Sequence, residues 1–377
     1  MVRISSPSWL GRVVVGLLLL AFASVFATAW LHANHIRAVL LVPGPNDPGV
    51  PMQLAAVGGG RVVLPRSAET EKDGVWGLRS DAAYGQIADV IRIDETTVER
   101  TMRTLSGEFA PGDTVTLDQD AFPDDPKVAH GIGFEAPRVP GELGPQPAWV
   151  IEGRRSTWIV FVHGEGNDRL TQSLRMIPSL VEQGFPIIAV TYRNDVGAPR
   201  SPDGLRRWGL EEWRDVDSAL VAALRQGADG FVLYGFDLGA EVAATFLHES
   251  ELSGLVQAVI LDSPVLDLER LVDDHTSLPA AVAEVGQQLA AVRFGVEWPY
   301  LDQIERAGEF DVPMLVMHGV DDPVVPYASS EEFAEHRPDI VELARFEQGG
   351  NGDLWNIDPG RYEAVVTDFL MRVIGPE

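Results

Sequence analysis

The sequence predicts an α/β protein whose mostly parallel sheet carries a small cap and follows a β-rich accessory unit and an N-terminal membrane helix. After residue 148, apolar runs of strand length alternate with helix-length segments, as in the βαβ units of a parallel sheet. Between residues 38 and 148, short β-prone runs are broken by Gly and Pro, which is typical of antiparallel strands. A long uncharged run lies near the N-terminus. We therefore expect three parts, at 1–37, 38–148 and 149–377.

The N-terminal run covers residues 13–31 without a charged side chain, and Arg3 and Arg12 precede it. A membrane-spanning helix needs about 20 apolar residues, whereas the apolar core of a signal peptide has roughly 7 to 15. A small-x-small triplet at 27–29 offers a cleavage site, but the run continues beyond it, which favours an uncleaved signal anchor. A cleaved signal peptide and a buried core helix are the alternatives. The positive charges before the run predict a cytoplasmic N-terminus, with the C-terminal part of the chain outside.

The composition excludes several kinds of chemistry. The formal net charge is −27, from 29 basic and 56 acidic side chains, which argues against nucleic acid or an anionic lipid surface as the partner. The chain has no cysteine, which rules out disulfides, thiolate metal sites and a cysteine nucleophile. The acidic residues show no metal-binding spacing, so we expect no metal and no other cofactor. An unidentified small molecule or protein remains as the partner, besides the membrane itself.

The accessory unit is predicted to contain strands at 61–64, 87–93 and 114–117, and a Pro- and Gly-rich stretch at 137–147 leads out of it. The second unit has six apolar runs that predict strands, at 158–162, 186–191, 230–234, 256–261, 312–317 and 340–346. The interval 263–309 is too long for a simple crossover, and its stretch 278–292 has an amphipathic pattern, which predicts a cap. Ligand sites of open α/β sheets lie at the carboxyl ends of the strands.

One of these strand ends carries a motif with a recognisable spacing. The strand at 230–234 runs into Gly235-Phe236-Asp237-Leu238-Gly239 and then into a helix. G-x-D-x-G between a strand and a helix has the spacing of a nucleophile elbow, where the middle side chain projects from a sharp turn. The helix N-terminus behind that turn favours negative charge. Asp237 therefore occupies the position of a nucleophile.

Three further strand ends complete the candidate site. The strand at 158–162 ends in His163-Gly164-Glu165, and we expect the N–H groups of Glu165 and Leu238 to form an oxyanion hole, with His163 as a turn residue. The strand at 312–317 leads to Asp322, the position of a triad acid. The strand at 340–346 leads into a glycine-rich loop where the base of a triad is expected, and the sequence has Asn351 there.

These motifs resemble the α/β-hydrolase superfamily, specifically bacterial membrane-tethered members similar to serine aminopeptidase-like and prolyl-oligopeptidase-like hydrolases. The resemblance covers residues 138–373 and includes further motifs at 192–195, 212–215 and 262–264. It implies a triad in the order nucleophile, acid, histidine. Asp237, Asp322 and Asn351 stand in that order, but the relatives carry Ser and His where this chain has Asp237 and Asn351. Only Asp322 matches the implied triad.

The two substitutions predict that ordinary ester or peptide hydrolysis fails. A serine triad needs a hydroxyl and a titrating base, and Asn351 cannot titrate. A carboxylate about 4 Å from a developing oxyanion repels it by roughly 4 kcal/mol at an effective dielectric constant near 20, comparable to the contribution of one oxyanion donor. A relocated base would have to be His248, His275 or His336. We therefore expect a pseudohydrolase that binds a ligand or scaffolds a partner.

Three explanations account for these residues; the first competes with the pseudohydrolase, whereas the second and third describe how its site would be built. Asp237 acts as the nucleophile in the first, as in haloalkane dehalogenases and epoxide hydrolases, which resemble this chain in fold; without a histidine, its ester intermediate would persist. In the second, the Asn351 amide bridges the carboxylates of Asp237 and Asp322, and Asp237 also caps the following helix. In the third, Glu165, Asp237, Asp322 and Asp353 line an acidic pocket for a cation or amine.

Overall fold

The structure, a computed structural model, describes residues 9–44, 49–164, 166, 170–350 and 352–376. It divides into two compact units. The first unit consists of residues up to Val42 together with Asp267–Asp302, and the second consists of Pro43–Leu266 together with the chain from Gln303 onwards. The domain boundaries predicted at residues 37 and 148 remain a proposal.

The described part of the second unit contains a seven-stranded antiparallel sheet in the order β1-β7-β4-β5-β6-β3-β2. Val62 and Leu64 alternate with more exposed neighbours, so one face of the sheet builds a core with Trp76 and Ile87. The three predicted strands are confirmed as β3, part of β5 and β7. The strands are β1 (Met52–Gln53), β2 (Ala56–Gly58), β3 (Arg61–Pro65), β4 (Trp76–Arg79), β5 (Tyr84–Ile93), β6 (Thr97–Ser106) and β7 (Thr114–Asp118).

The same unit contains an eight-stranded sheet among its described residues, in the order β15-β14-β13-β12-β10-β11-β9-β8. The strands from β10 onwards pair in parallel, and β9 and β8 extend one edge antiparallel. All six predicted strands are confirmed as β10 to β15. The strands are β8 (Arg138–Gly141), β9 (Gly144–Ile151), β10 (Thr157–Val162), β11 (Ile187–Val190), β12 (Gly230–Phe236), β13 (Val256–Asp262), β14 (Met314–Gly319) and β15 (Val341–Phe346).

The central strands of this sheet are buried along their whole length, as expected when both faces are covered. Phe236 stacks on both Phe161 and Tyr234 in the core, and the rings of Phe161 and Tyr234 are tilted against each other. The chain runs from β11 to β12 across β10, so the order of the strands reverses there, at the place where open α/β sheets bind ligands. The helices of the unit are α2 (Ala68–Glu71), α3 (Pro126–His130), α4 (Ile177–Glu182), α5 (Trp213–Leu224), α6 (Leu238–Glu249), α9 (Tyr327–His336), α10 (Leu354–Ile357) and α11 (Pro359–Val373).

The first unit combines the N-terminal helix with the insertion between β13 and β14. Its helices are α1 (Trp9–Ile36), which continues into a π-helical turn at Arg37–Leu41, then α7 (Leu268–Asp274) and α8 (Ala280–Phe294). By length and composition, α1 could cross a membrane, and its apolar run is almost entirely exposed. α1 and α8 pack closely: a Cβ atom added to Gly286 would lie 2.6 Å from the ring of His32 and 3.1 Å from the carbonyl oxygen of Ala29.

The amphipathic pattern predicted for 278–292 is not what α8 shows. Its buried residues include Ala283, Gly286 and Ala290, while Val285 and Val292 are exposed. The reason is the close approach to α1, which admits small side chains and leaves the larger apolar ones outside.

Candidate active site

The chain turns sharply between β12 and α6, and Asp237 stands at that turn with φ +47° and ψ −113°. Left-handed backbone of this kind is rare outside glycine. Two glycines make the turn possible by allowing close approach. A Cβ atom on Gly239 would lie 2.1 Å from the carbonyl oxygen of Val162, and one on Gly235 would lie 2.6 Å from the Cα atom of Ala240. The G-x-D-x-G motif thus forms the strained elbow that its spacing predicts.

The side chain of Asp237 is not a helix cap. It makes no capping hydrogen bond to α6, so the expectation that Asp237 caps this helix is wrong. A capping residue has extended backbone that turns its oxygen towards the next N–H groups, whereas the left-handed conformation of the elbow directs the side chain elsewhere. Its backbone N–H donates to the carbonyl oxygen of Asp262 at 2.9 Å, which ties the elbow to the neighbouring strand end.

The end of β10 lies against the elbow. A Cβ atom on Gly164 would lie 3.1 Å from the Cβ atom of Asp237. His163 is buried, stacks on Tyr192 and places its Nε2 atom 2.8 Å from Asp195 Oδ2. Its other ring nitrogen lies 2.9 Å from the carbonyl oxygen of Gly164. Both ring nitrogens therefore make hydrogen-bond contacts that hold this turn in place. Leu238 is the first residue of α6, and Glu165 lies outside the described residues.

The two motifs at 192–195 and 212–215 meet at a buried ion pair. The Nε atom of Arg193 lies 2.8 Å from Asp215 Oδ2, and the backbone N–H of Arg193 donates to the same oxygen at 2.8 Å. Glu142 and Glu211 also bind this guanidinium. The pair fixes the loop after β11, which holds Asp195 against His163.

The Asp322 carboxylate is occupied by its own loop. Its Oδ1 atom accepts hydrogen bonds from the N–H groups of Val324 and Val325, both at 2.8 Å. Its Oδ2 atom lies 3.4 Å from His318 Nε2, and both side chains are fully buried. The His318 ring also contacts Ser330 Oγ at 2.7 Å through Nδ1 and the Val325 carbonyl oxygen at 3.1 Å through Nε2. Since both nitrogens are engaged, His318 orients the acid loop and is not placed as a base.

The loop of the expected base reaches both Asp322 and the end of β13. Asn351 itself lies outside the described residues, so its bridging role stays a hypothesis. On one side of it, a Cβ atom on Gly350 would lie 2.4 Å from the Cα atom of Asp322. On the other side, the N–H group of Gly352 donates to Ser263 Oγ at 3.4 Å. Residue 351 is therefore flanked by contacts to the acid loop and to Ser263.

The three histidines named as relocated bases lie on α6, after α7 and at the end of α9. His248 lies in the last turn of α6, about 16 Å along the helix axis from the elbow at 1.5 Å per residue. Its ring contacts Gln303 and Glu309, and burial lowers its pKa. His275 binds the carbonyl oxygen of Leu271 in the first unit. His336 ends α9.

A buried hydrogen-bond network that the sequence did not predict lies next to the loop of residue 351. Tyr234 donates to Tyr362, which donates to Asp262 Oδ2, each at 2.6 Å, and Ser263 donates to Asp262 Oδ1 at 2.9 Å. Burial raises the pKa of Asp262 and the pKa values of both tyrosines. Ser263 has φ +49°, a second strained residue beside the elbow.

Arg175 fastens the same loop to the antiparallel sheet. Its guanidinium is buried and donates to the carbonyl oxygens of Gly352 and Gln119, both at 2.6 Å. Asn356 donates to Gln119 and to Val75. The residues that follow β7 and those that follow β15 are thereby held together.

A cleft of about 1700 Å³ opens between the antiparallel sheet and the loops that follow β14 and β15. Among the described residues, nine acidic and two basic side chains line it. Of the four residues in the acidic-pocket hypothesis, Asp353 contributes to the wall of this cleft, and burial raises the pKa of its carboxyl group. Asp237 and Asp322 are not among the described lining residues, and Glu165 lies outside the described part of the chain, so the hypothesis stays untested. The adjacent lining comes from Asp321 and Gly350.

Comparison with known proteins finds a lipase and its relatives, and one domain family of unknown function. A family model described as a domain of unknown function, DUF8805, matches residues 53–118, in the antiparallel sheet. The human protein ABHD12B is 24% identical over 236 residues, which cover 59% of this chain and 60% of that protein. The lysophosphatidylserine lipase ABHD12 of Macaca fascicularis is 25% identical over 224 residues, covering 53% of this chain and 51% of the lipase. The chain thus spans about half to three fifths of these curated relatives.

Solved structures of hydrolases share the fold. The Pyrococcus furiosus esterase Pf2001 superposes with a TM-score of 0.55 at 18% identity, covering 67% of this chain and 95% of the esterase. A puromycin-hydrolyzing peptidase of Mycobacterium tuberculosis superposes with a TM-score of 0.54 at 20% identity, covering 86% of this chain and 55% of the peptidase. At these identities, the likeness shows the fold alone.

Proposed function

We propose, from the premise that this chain belongs to the α/β-hydrolase superfamily, that it is a membrane-anchored pseudohydrolase, which binds a ligand or scaffolds a partner without completing a hydrolytic cycle. The observation that carries this proposal is the elbow. The residue at the nucleophile position of this elbow is Asp237, which has φ +47°. The elbow therefore presents a carboxylate instead of a hydroxyl group.

The positions around the elbow support the same conclusion. A serine hydrolase needs an imidazole that takes the proton of the nucleophile and returns it to the leaving group. The sequence has Asn351 at that position. The rings of His163 and His318, at the neighbouring strand ends, bind Asp195 and Ser330 instead. A carboxylate at the elbow also opposes the oxyanion of acyl transfer, because like charges repel.

The hydroxyl group of Ser263, next to the strand end that binds the elbow, does not replace the missing serine. Ser263 is fully buried, and its hydroxyl group donates to the carboxylate of Asp262. A nucleophilic hydroxyl must be reachable by the substrate and must give its proton to a base in the transition state. Ser263 is better explained as part of the network behind the site.

A fluorophosphonate probe tests the proposal, because it labels activated serines. We expect no labelling of the wild-type chain and no esterase activity on short acyl esters. The double variant Asp237→Ser with Asn351→His should gain labelling at residue 237 and esterase activity. Each single substitution should stay inactive, because each restores only one half of the pair. Labelling of the wild type would overturn the proposal.

A control variant identifies the labelled residue. Ser263→Ala in the double-variant background should keep the labelling, whereas loss of labelling would assign the reaction to Ser263. If the double variant stays silent while its unfolding temperature equals that of the wild type, the oxyanion hole or the pocket is lost as well. That result would refute the view that only the triad has changed.

The second candidate function is covalent catalysis by Asp237 on an alkyl halide or epoxide. It is favoured by the retained elbow, which presents a carboxylate that needs no base to attack an sp3 carbon. Intact-mass spectrometry after incubation with such compounds distinguishes the two functions. A stable adduct that disappears in Asp237→Asn would support the covalent candidate, and an unchanged mass supports the binding function.

A further inference from the structure

The outer surface of helix α8 exposes apolar side chains to solvent. Its exposed positions include Ala281, Val285, Gln288 and Val292, and Val292 is 85% exposed. Only two of its fifteen residues carry a charge, Glu284 and Arg293. A helix that is apolar all round usually has an apolar partner on every side. In α8, α1 covers one side and Gln287 binds Asp273 and Trp298, while Val285 and Val292 stay exposed.

The place where α8 meets α1 lies at the end of the membrane-length run. Residues 13–31 of a helix span about 28 Å at 1.5 Å per residue, close to the roughly 30 Å of a bilayer hydrocarbon core. Gly286 contacts Ala29 and His32, on either side of the end of that run. α8 therefore lies at the depth where the hydrocarbon core gives way to the lipid headgroups.

The side chains at this level are those that favour a membrane interface. The guanidinium of Arg293 lies 3.6 Å above the ring centroid of Trp30 and donates to Asn34 Oδ1 at 3.0 Å. Arg37 lies 5.8 Å above the ring of Phe294. Tryptophan is enriched at the headgroup level, and arginine there buries its stem while its charge stays in the polar layer.

We propose that α8 is an interfacial helix whose outer face, with Val285 and Val292, lies in the headgroup boundary of the bilayer that α1 spans. This inference rests on the membrane anchor of the proposed function. A lipid surface fits better than a second copy of the chain, because the exposed valines lie on the helix that packs against the end of the membrane-length run, where Leu31 and Trp30 are also exposed. The attraction is apolar, so it does not require anionic lipid.

Spin labelling tests the inference, since the chain contains no cysteine of its own. Val285→Cys and Val292→Cys, each in the full chain in phosphatidylcholine nanodiscs, carry the label. Leu19→Cys, in the apolar run, reports on the anchor, and Glu95→Cys, in the exposed turn between β5 and β6, reports on water. Collision rates with oxygen and with a water-soluble nickel chelate measure the environment of each label. All four variants should keep the unfolding temperature of the wild type, because each position is exposed.

The labels at 285 and 292 should show an oxygen-to-nickel ratio several-fold above that at 95 and below that at 19. A ratio equal to that at 95 would place α8 in water and overturn the inference while the anchor stands. Shielding from both reagents would assign the surface to another protein chain and overturn it too. A water-like ratio at 19 would refute the anchor itself, so the two failures are distinguishable.

Discussion

At the scale of single residues, Asp262 carries more of the site than its position in the sequence suggests. Its backbone oxygen accepts the N–H group of Asp237, and its carboxylate accepts the hydroxyl groups of Ser263 and Tyr362. The residue is fully buried, and this burial raises its pKa despite the hydrogen bonds. Asp262 thus holds both strained strand ends, at the cost of a desolvated carboxyl group.

The raised pKa of Asp262 predicts a pH dependence of stability. As the pH rises above 3.8, the unfolded chain loses this proton first, so the contribution of Asp262 to the free energy of unfolding falls until the pH passes the folded pKa. Asp262→Asn does not titrate. The variant should therefore gain stability relative to the wild type between pH 4 and neutrality, as measured by urea unfolding across that range.

Asp339→Asn is the matched control, because Arg337 lowers the pKa of the exposed Asp339. The stabilisation from a lowered pKa is present above the unfolded pKa and lost as the pH falls. The difference between Asp339→Asn and the wild type should therefore have the opposite pH slope. A pH-independent difference for Asp262→Asn would contradict the burial argument.

The partners of Asp262 show what sequence alone could not supply at this scale. Spacing in the sequence places Asp237 and Asp322 at strand ends, because a turn motif is local. Tyr362 lies 100 residues from Asp262 and reaches it only through the packing of α11. His318 directly follows the predicted strand at 312–317, but its contact with Asp322 depends on the course of the loop between them.

At the scale of elements, the strands that could be predicted are those with uninterrupted apolar runs. β10 to β15 agree with their predicted ranges within a few residues, because burial on both faces leaves a continuous apolar pattern. β1, β2 and β8 are short and rich in polar residues or glycine, so they have no such pattern. α8 departs from its predicted amphipathic pattern because its close partner α1 is distant in the sequence.

Substitution of Arg175 should weaken the contact between two elements of the fold. Its side chain links the end of β7 to the loop after β15. Arg175→Met removes the donor that binds the Gly352 carbonyl oxygen, whereas the Gln119 carbonyl oxygen keeps its hydrogen bond from Asn356. We expect a loss of about 2 kcal/mol in the free energy of unfolding, because one unsatisfied buried acceptor costs about 1 to 3 kcal/mol. Hydrogen exchange should also increase at Gly350 and Gly352.

Arg372→Met is the control for this substitution. Arg372 forms an exposed pair with Glu342, and exposed pairs contribute roughly 0 to 1 kcal/mol. Equal losses in the two variants, measured by urea unfolding, would refute the role of Arg175 as a link between the elements.

At the scale of the whole molecule, the positive charge before the apolar run of α1 predicts on which side of the membrane the rest of the chain lies. Arg12 precedes the apolar run of α1, which predicts that the chain after it lies outside the cytoplasm. Glu95→Cys should react with a membrane-impermeant maleimide in intact spheroplasts. The cysteine-free wild type gives the background. Reaction only after lysis would reverse the proposed orientation.

The pairing of α1 with α8 joins residues that the ribosome synthesises many seconds apart. Ala29 and Gly286 are about 250 residues apart, which a ribosome takes roughly 10 to 50 s to cover at 5 to 20 residues per second. α1 is complete throughout that interval while α8 does not yet exist. The face of α1 that packs against α8 therefore has no partner during that interval. A nascent chain stalled before residue 280 would leave that face open to other helices.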